Sequence, residues 1–202
     1  MIIYLHGLNS AGTSGKAAVM RQRLAPIEVI SPTYPAQSAR RAVAVLQASL
    51  RGTLSEQHLA GQPKILVGSS MGGFYGAWLA ARLGCQHLVM INPALCPWEL
   101  LRQVEGWQIN QALDERYYLS AEMVAATREY AVQPQAIGLP VTLLLDQGDE
   151  LIDYRQAIEG YRDIADIHAF EGGSHSFEHM DEAVEIIGHL HRALQAEDDA
   201  DG

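Results

Sequence analysis

The sequence predicts an α/β fold in which a six-stranded, mostly parallel sheet is covered by helices on both faces. Two observations carry this. Short apolar runs rich in β-branched residues recur along the chain, and segments of helical period lie between them, the arrangement of a parallel sheet with both faces covered. The 202 residues, 48% hydrophobic and 19% charged, are enough for one domain that buries about 70% of its unfolded surface, so the core needs no disulfide or metal staple.

Taken in order, the strand candidates are Ile2–His6, Ile27–Ser31, Lys64–Ser69, His87–Asn92, Val141–Asp146 and Asp166–Phe170. They are expected side by side in the order 2-1-3-4-5-6. Between them, Val43, Leu46, Leu50 and Leu54 share one helix face. A second helical pattern covers Phe74 to Leu83 and stops at Gly84, a C-terminal cap. The last is Met180, Val184, Ile187, Leu190 and Leu194, spaced 4, 3, 3 and 4. The domain is expected over residues 1–195. Residues 93–140 interrupt the rhythm with Trp98, Trp107, Tyr117, Tyr118 and Tyr130. They read as a helical lid inserted after the fourth strand, with Trp98–Val104 and Ser120–Tyr130 as its best helices and no clear strand. Insertions of this length usually serve a binding site, although these helices could equally just cover the sheet.

Lys plus Arg number 14 against 24 Asp plus Glu, a net charge of −10. Four of the acids (Glu197, Asp198, Asp199, Asp201) crowd residues 196–202, which read as an acidic disordered tail. An acidic surface repels phosphate backbones and anionic lipid, so neither nucleic acid nor a membrane is expected as a partner. Apolar runs such as Leu88–Ile91 fall far short of the ~18 residues of a span. The N-terminus lacks a basic n-region, and Cys85 and Cys96 form neither a CxxC pair nor a metal-ligand spacing. A cytoplasmic protein without metal or cofactor is expected.

The strongest local signal is Gly68-Ser69-Ser70-Met71-Gly72, a G-x-S-x-G motif set between an apolar strand and a helical pattern. A serine on so tight a turn projects its hydroxyl clear of the sheet. The residues two before and two after come too close for side chains, which explains both glycines. A hydroxyl is nearly inert until a base takes its proton. Of eight histidines, His175 follows the last strand in a loop with two glycines, Gly172 and Gly173, and is the candidate; His179 is its competitor. His58, His189 and His191 read as surface residues, while His87 and His168 lie on strands. The acid that fixes the imidazole tautomer is expected from Asp146-Gln147-Gly148-Asp149-Glu150, with Asp149 preferred and Asp146 and Asp153 as alternatives. Ser70, Asp149, His175 is the chain order of α/β-hydrolases. Oxyanion donors are expected from the backbone N–H of Met71, after the nucleophile, and of Leu8, in the loop after the first strand. His6 is read as ordering that loop. Trp98 is expected to line the substrate pocket.

Six blocks carry a closer likeness: Tyr4-Leu5-His6-Gly7-Leu8-Asn9-Ser10, Val67 to Tyr75, Ile91-Asn92-Pro93-Ala94, Pro97-Trp98-Glu99-Leu100-Leu101, Gly148-Asp149-Glu150 with Asp153 to Ala157, and Glu171 to Phe177. Together they resemble the YqiA/YcfP-type small bacterial esterases. The resemblance implies a compact α/β-hydrolase lacking the first two strands of the larger fold. It also implies activity on carboxylic esters or thioesters of small or medium acyl groups, with Ser70, Asp149 and His175 as the triad. Acyl transfer on the same triad and a non-catalytic binding protein of the same fold are the alternative functions.

Overall fold

The computed structural model describes residues 1–54 and 62–201; His58 lies outside them. The chain runs through β1 (Ile2–Leu5), α1 (Gly15–Arg23), β2 (Val29–Ile30), α2 (Ala39–Leu54), β3 (Ile65–Ser69), α3 (Met71–Leu79) and β4 (His87–Ile91). It continues through α4 (Pro97–Arg102), β5 (Gly106–Asn110), β6 (Glu115–Leu119), α5 (Ala121–Ala126), β7 (Val141–Asp146), α6 (Tyr154–Tyr161), β8 (Ala165–Phe170) and α7 (Met180–Asp201). Six strands form one parallel sheet in the order β2-β1-β3-β4-β7-β8, the order expected from the sequence.

The period-two alternation of the strands sorts their side chains onto two cores. Ile3, Leu5, Leu66, Leu88, Met90, Leu143 and Leu145 pack with α2, α3 and α6 on one face. Ile2, Tyr4, Ile65, Val67, Val89, Ile91 and Leu144 pack with α1 and α7 on the other. The periodic residues Val43, Leu46 and Leu50 of α2 are buried on the first face, Val184 and Ile187 of α7 on the second. The register sets Leu5 opposite Gly68 and Ser69 opposite Ile91, so the loops leaving β1, β3 and β4 emerge at one edge of the sheet.

Three expectations are corrected. The second strand shortens to Val29–Ile30, because Ile27 is taken up in a turn through its N–H bond to the Leu24 carbonyl. The insertion is not purely helical: β5 and β6 form an antiparallel hairpin pairing Trp107 with Tyr118 and Asn110 with Glu115. Its alternation is period two, but the face holding Trp107, Ile109 and Tyr118 points outward, so no apolar run marks a strand. The expected acidic tail is helical to Asp201, since Ala193 to Glu197 are strong helix formers with no glycine or proline to stop them. Cys85 and Cys96 are free thiols. None of the described helices is long and apolar enough to cross a membrane.

Candidate active site

Ser70 stands alone between the last residue of β3 and the first of α3, with φ 55° and ψ −117°. That left-handed conformation costs a non-glycine residue about 1–3 kcal/mol and persists only where its surroundings enforce it. Here they do. The Ser70 N–H donates to the Ile91 carbonyl (2.9 Å), and the Ser70 carbonyl accepts from Gly73 N (3.0 Å) and Ala94 N (3.1 Å). A Cβ on Gly68 would lie 2.3 Å from the Gly72 carbonyl oxygen, and one on Gly72 only 2.0 Å from that of Leu5. The two glycines of the motif are therefore places where backbone passes against backbone.

His175, in the loop after β8, sets its Nε2 3.0 Å from the Ser70 hydroxyl oxygen. Its Nδ1 lies 2.9 and 3.1 Å from the two carboxylate oxygens of Asp149, in the loop after β7. An ionised carboxylate only accepts, so Nδ1 carries the proton and the Nε2 lone pair faces Ser70. Asp149 Oδ1 also accepts from the N–H groups of Leu151 and Ile152, both at 2.9 Å. Its side chain is 1% exposed and that of His175 19%. Burial of Asp149 opposes its charge, but the bonds from His175, Ile152 and Leu151 outweigh this and hold the carboxyl below its ordinary value.

The sequence candidates thus separate. Ser70, Asp149 and His175 meet. Asp153 instead caps α6, accepting the Arg155 N–H at 3.0 Å. Asp146 and His179 form a pair of their own, with Asp146 Oδ1 accepting from His179 Nδ1 at 2.6 Å and the imidazole stacked on Phe170. The fully buried Asp146 also accepts, through Oδ2, the N–H groups of Ser174 (3.2 Å) and Glu178 (2.7 Å). It therefore holds both sides of the loop that presents His175. His87 reaches Thr142 across adjacent strands, and His168 reaches Asp166.

Two further residues hold this loop and were not singled out for it. Asn92, buried at φ 41° after β4, donates Nδ2–H to the Ser174 carbonyl (2.9 Å) and accepts the Asp146 N–H (2.9 Å). The signal was there: a lone amide closing an otherwise apolar strand has to satisfy its polar groups somewhere. Glu150 accepts the His175 N–H at 2.9 Å, a bond that keeps its carboxyl below the ordinary range.

Ser70 and His175 open onto a cavity of about 740 Å³ that Leu8 and Met71 also line. Pro97, Leu100, Leu101 and, beyond the last turn, Val104 form its apolar wall; their spacing of 3 and 4 puts them on one face of α4. Trp98 is off that face. Contrary to expectation it does not line the cavity. It packs edge-on against Phe74 and beneath Arg128. The loop after β1 is ordered by buried His6, whose Nε2 accepts the Tyr34 N–H (3.3 Å), leaving Nδ1 to donate to the Gly7 carbonyl (2.8 Å). Burial pushes the His6 imidazole below its ordinary pKa, the Gly7 bond pulling partly back. The hairpin secures the same loop: Tyr117 donates to Asn9 Oδ1 (2.7 Å) and Asn110 to the Ser10 carbonyl (3.2 Å). Among the described residues no three His, Cys, Asp or Glu side chains cluster as metal ligands.

Residues 1–192 match the Uncharacterised protein family UPF0227. The chain belongs to UPF0227. This is the YqiA/YcfP family, as the sequence blocks suggested. Among solved structures, the UPF0227 chain is similar to Est1E from Butyrivibrio proteoclasticus (15% identity, TM-score 0.74, covering 98% of this chain and 88% of that one). It is also similar to a monoacylglycerol lipase from Paleococcus ferrophilus (16%, 0.71, 94% and 93%). A third is the mouse alpha/beta hydrolase domain-containing protein 10 (19%, 0.67, 96% and 90%). This UPF0227 member has the α/β-hydrolase fold.

Proposed function

We propose that this protein is a serine hydrolase of carboxylic esters or thioesters, acting through Ser70, His175 and Asp149 by way of an acyl-enzyme. One observation carries the reading: a strained serine faces the unprotonated nitrogen of a histidine at 3.0 Å, and a buried carboxylate fixes that histidine's other nitrogen. In the first step Ser70 Oγ attacks the acyl carbonyl while its proton passes to His175 Nε2. Negative charge gathers on the carbonyl oxygen, where the N–H groups of Leu8 and Met71 are assigned as donors. Collapse breaks the bond to the leaving alcohol or thiol, which takes the proton from His175. Water then gives a proton to His175 and attacks the acyl-serine, and on collapse His175 returns that proton to Ser70 Oγ as the acid is released. Asp149 stabilises the imidazolium throughout.

Among solved structures of similar fold is a monoacylglycerol lipase, which agrees with ester chemistry. The apolar α4 wall suits small or medium acyl groups. Two free thiols and an acidic surface suit the cytoplasm. The test is covalent labelling by a fluorophosphonate, together with turnover of a p-nitrophenyl ester. Wild-type protein should label and turn over, and Ser70→Ala should do neither while keeping its circular dichroism spectrum. Labelling that survives in Ser70→Ala would move the nucleophile to another serine and overturn the assignment.

A further inference from the structure

The cavity lining is of two unlike kinds. Its α4 wall carries Pro97, Leu100, Leu101 and Val104 with one polar residue, Gln103, among them, while Tyr4, Ser14, Lys16, Ser69 and Ser176 come to the lining from other elements. Lys16, half-buried in the first turn of α1, is the lone Lys or Arg lining the cavity among the described residues. Among those residues its ammonium makes no hydrogen bond and no ion pair. Asp146 acts on it electrostatically, but that carboxylate already accepts three hydrogen bonds. Burial pushes the Lys16 ammonium down, and Asp146 draws it partly back. A partly desolvated cation without a close partner is a costly thing for a fold to keep. It stands in a chain whose net charge is −10, which repels anions at long range. The mouth adds to that repulsion through exposed Glu150. A local cation set behind a repelling surface does not steer; it discriminates once a ligand is inside.

We infer that the cavity selects esters that also carry an anionic group, a carboxylate or phosphate, which the ammonium of Lys16 holds beside Ser70. This rests on the ester-hydrolase reading for the reaction but not for the binding. The uncharged chain of such a substrate lies along Pro97, Leu100 and Leu101, and its charged end replaces the water around Lys16. The charge can sit on the acyl side, as in the half-ester of a dicarboxylic acid, or on the leaving group, as in the ester of a phosphorylated alcohol.

The experiment separates these sources and the two readings. In Ser70→Ala protein, where turnover cannot interfere, calorimetry compares monomethyl with dimethyl glutarate, and the acetyl ester of glycerol 3-phosphate with that of glycerol. At least one anionic member should bind about tenfold or more tighter than its neutral partner, and Lys16→Met in the same background should shrink that preference to about twofold or less. Lys16→Glu should turn it into discrimination against the anion. The pair that shows the preference tells which side of the ester carries the charge. Equal binding within both pairs, no binding by either anionic ester, or a preference that survives Lys16→Met would overturn the inference. If Lys16 merely offsets Asp146, Lys16→Met will lower the urea midpoint and leave the binding ratio untouched, which also overturns it. Should the preference hold while wild-type protein neither labels nor hydrolyses any ester, the site stands and the hydrolase reading alone falls.

Discussion

Asp146 and Asp149 leave the same strand three residues apart, yet they should fail in opposite ways when changed to asparagine. Asp146 accepts three hydrogen bonds in a fully buried setting, two from backbone N–H groups of the His175 loop and one from His179. Asparagine has one acceptor oxygen. Placed at Oδ2 it keeps Ser174 and Glu178, while its NH2 meets Nδ1–H of His179 and forces that ring to the other tautomer. Every bond then survives only in neutral form. Since hydrogen bonds to charged groups contribute about 1.5–3 kcal/mol and neutral ones about 0.5–1.5, three such changes cost about 3–4.5 kcal/mol. The loop keeps its shape, so kcat should fall by about tenfold at most. In Asp149→Asn the tautomer that fails is that of His175 itself, and kcat should fall on the order of 10⁴ with a smaller loss of stability. The assay is urea unfolding of both variants beside kcat on one activated ester. The reasoning is refuted if Asp146→Asn loses rate as Asp149→Asn is meant to, or if it unfolds within about 0.5 kcal/mol of wild type.

Gly72→Ala sets a Cβ 2.0 Å from the Leu5 carbonyl oxygen, so the elbow must shift; thermal melting should drop and fluorophosphonate labelling weaken, and an unchanged melt with full labelling would contradict the geometry. Leu100→Trp adds bulk to the α4 wall and should move acyl preference toward shorter chains by about 1–3 kcal/mol in kcat/KM; a chain-length series that does not move would place the acyl group elsewhere. For His6, the folded imidazole resists protonation while the unfolded one titrates near its ordinary value, about 6.5. The unfolded state therefore binds more protons below that pH, and stability falls as pH drops toward the folded pKa. His6→Gln should flatten the dependence of the urea midpoint on pH below about 6.5, and a slope as steep as wild type would show that other groups cause it.

What could be read from sequence was whatever repeats or is chemically singular. Parallel strand runs such as Val141–Asp146 announce themselves because both faces are buried, and all six residues of that strand are. Ser70 was legible because Gly68 and Gly72 are required by backbone contact, and His175 by its place after the last strand. The hairpin was not: Trp107 and Ile109 are 62% and 59% exposed, so its outward face carries the rings expected inside. Trp98 failed for a related reason, since a large aromatic beside the elbow says nothing of which side of α4 it occupies. The place of Asp149 past the strand end favoured it over Asp146, but that Asp146 meets His179 was not legible, because a three-residue step around Gly148 decides which histidine each one meets.

The order of the sheet gives the proposed nucleophile and its base different local stabilities. Ser70 follows β3, which has a partner strand on either side and five buried residues. His175 follows β8, which pairs with β7 alone and has no fully buried residue. Segments with fewer buried contacts open at lower free energy than the core and do so as units. On warming, β8 and the loop after it should part from the sheet first, leaving the serine elbow intact but without a base. Amide exchange would then be faster at Ile167 to Phe170 than at Ile65 to Gly68, and activity would fade at temperatures where the bulk of the molecule is still folded. The protein would regain its function on cooling, because the centre of the sheet had never been lost.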